Sequence, residues 1–264
     1  LDSTAIAIFS RPLLADPAGH PVFTVWHDER GYDERALAAS VATKFGYRHV
    51  EVPVDLQGYL TPDWLECFAR MQDQPLPGGS HFNEYALFKA AHEHGVTVFL
   101  DGQGADEYFG GYGEHWFAAQ RAALRSGRFG ELWRNLRGRS ATTGDPFGLT
   151  VRKWIARQLG VVPLISSLMD GAFVQDVEGA IDGDMLLPRD FDALVLAELE
   201  RLSIPYQLHS QDRFAMAFGI ESRLPFLDYR LVEYVSGLPL SYRVSGGWQK
   251  RILRDAMHEL PDAV

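Results

Sequence analysis

The sequence predicts an α/β fold: a layer of parallel strands and helices over residues 1–112, followed by a mostly helical region over residues 113–264. Three observations predict it. In the first third, short apolar, β-branched or aromatic runs alternate with amphipathic segments, the pattern of βαβ units. One run, VTVFLD at 96–101, is apolar without a break, as a buried strand of a parallel sheet requires. Beyond about residue 113 the segments are helical in character and no strand is expected through to residue 264.

Taken in order, STAIAIF at 3–9 is apolar and helix-compatible, with Ser3 available as an N-cap. HPVFTVWH at 20–27 reads as a strand. Residues 32–46 place Leu37, Val41 and Phe45 on one helical face and end at Gly46. Residues 47–54 form a short strand. Residues 61–71 start as a helix should, with Thr61 at the cap and Pro62 in the first turn. PLPGGS at 75–80 is a loop, and residues 81–95 are a helix that stops at Gly95. In the second half, loops rich in Gly and Pro are expected at 140–148 and 179–190. Six arginines, Arg121, Arg125, Arg128, Arg134, Arg137 and Arg139, read as a solvated helical face.

A chain of 264 residues that is 46% hydrophobic can bury a core in one large domain or a domain with a helical annex. The net charge of −10 argues against nonspecific nucleic-acid binding. The single cysteine, Cys67, forbids an intrachain disulfide and suits a reducing compartment, here the cytoplasm; it reads as a core residue. No apolar run of membrane-spanning length and no signal peptide is visible. The start without Met and the stop after an amphipathic segment lead us to expect a longer polypeptide.

The chemistry concentrates in VFLDGQGADEYFGGYGEHW, 98–116. DGQGADE lies at the carboxyl end of a predicted strand, where open parallel sheets bind ligands. Gly102 and Gly104 let the backbone turn sharply and approach a ligand. Asp106 and Glu107 open the next helix, where carboxylates complement the dipole. They also suit Mg²⁺, which prefers oxygen ligands and in turn suggests a polyphosphate. Capping explains the acids but not the glycines around them.

Three other stretches carry charge. LDST at 1–4 reads as a capped helix start. In HSQDRFAMAFGIESRLPFLDYRLVEYVSGLP at 209–239, Arg213, Glu221, Arg223 and Asp228 lie among apolar residues. Glu221 and Arg223 are expected in a loop before Pro225, as a salt-bridge corner. In WQKRILRDAM at 248–257, Lys250 and Arg254 are one turn apart, either an exposed basic face or a cation for a phosphate.

The stretches LDST, FLDGQGADEYFGGY, RFAMAFGIESRLPFLDYRLVEY and KRILRDAM occur in the order seen in the synthetase domain of the asparagine synthetase family, which the chain resembles from Asp2 to Met257. That family is similar in turn to the PP-loop ATP pyrophosphatases. The resemblance implies a Rossmann-like parallel sheet of the adenine nucleotide alpha hydrolase type, with helices on both faces. It implies a glutamine-hydrolysing, asparagine synthase-like ligase: ATP activates a carboxylate as an acyl-adenylate with release of pyrophosphate, and ammonia or an amine attacks the acyl carbon. Position by position, Asp2 and Asp106 look like the Mg²⁺–pyrophosphate ligands, and Ser3 like the remainder of the PP-loop. Val25 looks like the residue whose backbone meets adenine. Asp101 and Gly102 sit at the ATP-contacting strand end. Lys250 looks like the lysine that stabilises the adenylation transition state, and Glu107 and Tyr112 complete the acidic turn. The implied partners are a small carboxylate, an ammonia or amine donor and an upstream glutaminase domain, with no nucleic acid and no membrane. The resemblance leaves room for a homodimer.

The departures are informative. The family's PP-loop reads Ser-Gly-Gly-x-Asp-Ser, and this chain begins at its fourth residue, so weak ATP binding is expected of it as it stands. The family's amino-terminal glutaminase is missing, and Cys67 does not resemble its nucleophile. Where asparagine synthetases read Ser-Gly-Glu-Gly, this chain reads DGQG, so neutral Gln103 stands where the family glutamate approaches the acyl-adenylate and the incoming ammonia. Asp101, two residues earlier, would point the same way in an extended segment and partly restore the charge. The acceptor or nucleophile is then expected to differ from aspartate plus ammonia. Two alternatives stand beside this reading. One is a cyclising amide synthetase of the β-lactam or lasso-peptide type. The other is a noncatalytic ATP-site domain, against which Asp106, Glu107 and Lys250 argue.

Overall fold

The computed structural model describes residues 1–27, 33–74, 80–158, 190–258 and 260. The loop expected at 75–80, apart from Ser80, and that at 179–190, apart from Asp190, lie outside the described residues. In chain order the elements are α1 (Asp2–Ser10), β1 (Pro21–Trp26), α2 (Arg35–Phe45), β2 (Arg48–Pro53), α3 (Leu56–Tyr59), α4 (Pro62–Gln72), α5 (Ser80–Glu93), β3 (Val98–Leu100) and α6 (Ala105–Phe109). There follow α7 (Gly113–Arg125), α8 (Phe129–Thr143), α9 (Phe147–Gln158), α10 (Phe191–Ala197), α11 (Ile204–Ala217), β4 (Glu221–Arg223), α12 (Tyr229–Ser236), α13 (Leu240–Arg243) and α14 (Arg251–Ala256). The chain divides into two compact units. One comprises residues 1–103, 205–228 and 256–264; the other comprises 104–204 and 229–255.

The first unit is the α/β part. β1 and β2 run parallel, with Pro21 opposite Arg48 and Trp26 opposite Pro53. β3 runs parallel to β4, with Val98 opposite Glu221 and Leu100 opposite Arg223. α2 ends where expected, at Gly46 with φ 77°, a left-handed C-cap that glycine adopts without penalty. Pro62 opens α4 as expected. The core gathers Phe68, Phe82, Tyr85 and Phe88 from the helices with Phe214 and Ile220. Phe68 meets Tyr85 edge-on at 4.9 Å between centroids, a geometry the ring quadrupoles favour.

Five local expectations change. Ser3 lies inside α1, because the Ala5 N–H already bonds Leu1 O, and Leu1 takes the cap position. Leu37 of α2 is exposed while Val41 and Phe45 are buried. Cys67 is half-buried rather than core. β3 is not buried on both faces: Phe99 turns toward the core and toward Phe88, while Val98 and Leu100 stay 42% and 47% exposed. Period-two alternation explains this, since a strand that packs on one face exposes every second residue. Glu221 and Arg223 belong to a strand, not a loop. Glu221 N–H bonds Thr97 O, and the Asp101 N–H bonds Arg223 O. The pairing partner imposes this strand on a polar tripeptide.

The second unit is helical. Gln120, Asn135 and Trp116 form a buried polar ladder: Asn135 Nδ2 donates to Gln120 Oε1 at 3.0 Å, and Gln120 Nε2 donates to Trp116 O at 3.2 Å. The Gly246 N–H completes it on Asn135 Oδ1. Of the six arginines, Arg125, Arg128, Arg134 and Arg137 are exposed, as a solvated face requires. Arg139 instead turns inward to Gln249 and over the Trp116 ring. α8 runs on through 140–143, so the loop expected there starts at Gly144.

Candidate active site

In the first unit, the segment after β3 meets the amino end of α1. A Cβ on Gly102 would lie 2.8 Å from the Ser3 N and 2.9 Å from the Asp2 Cβ, both of them atoms that cannot swing aside. Only glycine at 102 lets the first turn of α1 come this close to the strand end. Asp2 is half-buried and Ser3 exposed. Val25 lies in β1, half-buried, opposite Val52.

Asp101 is held from several sides. Its Oδ1 accepts from the Gly102 N–H at 2.6 Å, and its Oδ2 accepts from Gln211 Nε2 at 2.9 Å. Burial pushes its carboxyl above the usual carboxylate range. Hydrogen bonds from the Gly102 and Gln103 backbone oppose that rise, and the Asp2 charge adds to it. β3 ends at Leu100, Asp101 and Gly102 carry no regular structure, and the turn into α6 begins at Gln103. Strand alternation therefore does not govern how Asp101 and Gln103 are aimed.

In the second unit, Gly104 with φ 92° caps α6, and Asp106 and Glu107 lie in its first turn. Lys250 Nζ lies 2.6 Å from Asp106 Oδ1. The lysine is 7% exposed and takes φ 52°, a conformation uncommon for a residue with a side chain. Its reading as an exposed basic face is thus overturned. Arg254, one turn on, lies over the Trp248 ring instead. Glu107 is fully buried, and its Oε1 accepts from Tyr112 Oη at 2.8 Å and from Ser203 Oγ at 2.7 Å. Ser203 is delivered by a π-type turn, in which its N–H bonds Glu198 O five residues back. His115 accepts from the Tyr112 N–H through Nδ1 and faces Glu198 with Nε2 at 2.8 Å.

Gln249, Glu84, Gln211 and Ser203 were not singled out from the sequence. Gln249 Nε2 donates to the carbonyls of Gly111 at 2.7 Å and Tyr112 at 2.5 Å, fixing the glycine turn. Its place beside Lys250 was the one available signal. For the other three, no motif marks a polar residue that matters only through a distant partner.

Among the described residues no group of three or more His, Cys, Asp or Glu side chains forms a ready-made metal cage. A carboxylate such as that of Asp106 in the second unit, 36% exposed, is of the hard oxygen type that suits Mg²⁺. That ion commonly takes one or two carboxylates and completes its shell with water and substrate phosphates. Among the described residues no helix is long and apolar enough to cross a membrane.

A sequence model of the asparagine synthase family matches residues 1–264, and the chain belongs to that family, one of ATP-dependent, amide-forming synthetases. It is 26% identical over 282 residues to an amidase, chry2, of Gibberella zeae, covering 91% of this chain and 41% of that protein. It is 28% identical over 200 residues to a glutamine-hydrolysing asparagine synthetase of Bacillus subtilis, covering 75% of this chain and 24% of the relative. A second amidase, chyE of Penicillium rubens, is 26% identical over 91% of this chain and 41% of its own length. The chain thus spans less than half the length of these curated relatives.

Proposed function

We propose that this chain is the synthetase part of an amide-forming ligase that uses ATP to activate a carboxylate as an acyl-adenylate, releases pyrophosphate, and passes the acyl group to ammonia or an amine. The observation that carries the reading is Lys250, buried, at positive φ and 2.6 Å from Asp106 Oδ1. A strained backbone that delivers a cation to an acidic turn is typical of a functional position. Attack on the α-phosphate builds negative charge on its oxygens, and a cation already in place stabilises it without reorganisation.

The remaining roles follow the family pattern. Asp2 and Asp106 are each proposed, position by position from the family pattern, as Mg²⁺–pyrophosphate ligands. The ion supplies charge neutralisation and Lewis acidity at the phosphates. The Ser3 backbone belongs to the phosphate cradle, Val25 meets the adenine through its backbone, and Asp101 and Gly102 line the ATP-side strand end. Glu107, held by Tyr112 and Ser203, keeps the acidic turn in shape. The two parallel strand pairs belong to one Rossmann-like sheet. An upstream glutaminase supplies ammonia, and the protein works in the cytoplasm. Neutral Gln103 cannot act as a base, so the acceptor or nucleophile differs from aspartate plus ammonia.

The test is carboxylate-dependent exchange of labelled pyrophosphate into ATP by the full-length protein, over a panel of acids. Exchange that needs one acid other than aspartate, and that is lost in Lys250→Met, is the expected result. Preferred exchange with aspartate would remove the altered-substrate part of the reading. No ATP–Mg²⁺ binding at all would favour a noncatalytic domain.

A further inference from the structure

A polar seam runs between α5 and α11 of the first unit toward the carboxyl end of β3. His81 and Glu84 are one turn apart on α5. Tyr206, Ser210 and Gln211 answer them from α11. Tyr206 Oη and His81 Nε2 are 2.6 Å apart. Ser210 Oγ donates to Glu84 Oε2 at 3.1 Å. Gln211 Nε2 donates to Asp101 Oδ2 at 2.9 Å and to Ser222 Oγ at 2.7 Å.

The seam has more acceptors than donors. The Ser210 hydroxyl spends its one proton on Glu84, and the two amide protons of Gln211 go to Asp101 and Ser222. That leaves Gln211 Oε1 buried without a hydrogen-bond partner, on a side chain that is 1% exposed. A buried acceptor left unmet keeps its full desolvation penalty, which a ligand's donor would relieve. Charge is also unbalanced. Glu84 and Asp101 are both half-buried, and neither makes an ion pair among the described residues.

We propose that this seam is a binding site for a primary ammonium group, received by Glu84, Asp101 and the free oxygen of Gln211. An alkylammonium brings one positive charge and three N–H donors and no acceptor, which is what the seam lacks. A neutral alcohol would bring one donor and no charge, and a carboxylate would be repelled. A divalent metal fits less well, because Ser210 and Gln211 turn donors inward and only two carboxylates are present. The ligand class is thus the amine-bearing reactant. Its role as a reactant rests on the amide-forming reading above, whereas its binding does not.

The electrostatics agree. Burial, with the Asp101 charge behind it, lifts the Glu84 carboxyl from an ordinary 4.5 to about 7, against the lowering effect of the Ser210 hydrogen bond. The groups that share its surroundings are Asp101, Tyr206 and, from its own helix, His81. The burial that raises Glu84 also raises the Tyr206 phenol, with the Glu84 charge adding to it. Asp101 in turn feels Asp2. A bound cation favours the ionised carboxyl, so binding releases a proton near neutral pH and tightens as pH rises through about 7.

The experiment is calorimetric titration of the full-length protein with butylammonium chloride, with n-butanol and MgCl₂ as comparisons and ATP–Mg²⁺ binding measured separately. Butylammonium should bind with no competition from n-butanol, more tightly at pH 8 than at pH 6, and with release of a proton. Glu84→Gln should weaken it roughly tenfold or more, the loss of one charge-assisted hydrogen bond. Gln211→Met should also weaken it, and it serves as the second variant should Glu84→Gln fail to fold. Equal binding by both folded variants, equal binding of n-butanol, or Mg²⁺ binding lost in Glu84→Gln would each overturn the proposal. Absent ATP–Mg²⁺ binding with butylammonium binding intact would sink the ligase reading and leave the ammonium site standing.

Discussion

Lys250 Nζ sits 2.6 Å from Asp106 Oδ1, and the pair lies directly over Gly111, where a Cβ would overlap both side chains. The lysine is buried while Asp106 is 36% exposed, so the pair has one dry and one wet end. That asymmetry suits a carboxylate that must take further ligands and a cation that must not leave. Two predictions follow from it.

Lys250→Met should cut pyrophosphate exchange by about 100- to 1000-fold, the usual loss when one preorganised stabiliser of transition-state charge is removed. Stability should fall by only about 1–2 kcal/mol. Breaking a buried pair costs more, but water reaches Asp106 and screens the orphaned charge. Adding Asp106→Asn should restore most of the stability and none of the exchange. Urea unfolding of both variants beside the exchange assay checks this; exchange recovered along with stability would count against a chemical role for the pair.

Gly111→Ala tests the same geometry from the backbone side. The added methyl meets Asp106 and Lys250 in place, so one of them must move, at a cost of about 1–3 kcal/mol. Exchange should fall as far as in Lys250→Met even though both charged groups remain. Unchanged exchange in the Gly111→Ala protein would show that the pair tolerates displacement.

The first unit was legible in the sequence where local signals agree with tertiary ones. β1, α2 and β2 follow from period and caps, and the Gly46 stop needs only a left-handed residue. β4 was not legible, because Glu221, Ser222 and Arg223 carry no apolar alternation and become a strand only by pairing with β3. Lys250 was legible as a residue and misread as an environment. A lysine beside an arginine one turn on looks like a wet face, and nothing nearby in sequence reveals that Asp106 buries it. The seam residues Glu84 and Gln211 were invisible for a related reason: each takes its meaning from a partner more than a hundred residues away.

Glu84 should make the protein less stable as pH rises. Its native carboxyl, lifted to about 7, holds a proton that the unfolded chain has already released at its ordinary 4.5. Between those values the native state binds more protons, so stability declines with pH through this window, by up to about 3 kcal/mol at pH 8. Glu84→Gln, neutral throughout, should remove that decline and match or exceed the parent above pH 7. Urea midpoints from pH 5 to pH 8 decide it: parallel curves for the two proteins would mean that Glu84 titrates normally.

Glu107 tests whether the π-type turn serves the acidic motif. Its buried carboxylate accepts from Tyr112 Oη and Ser203 Oγ, and both donors belong to the same unit. Tyr112→Phe and Ser203→Ala should each cost about 1.5–3 kcal/mol, the range for a hydrogen bond to a charged acceptor. Because both donors meet one oxygen, their losses should not add. A double-mutant cycle in urea measures the coupling between the two donors. Strict additivity would separate Glu107 from Ser203 and leave the turn a packing feature alone.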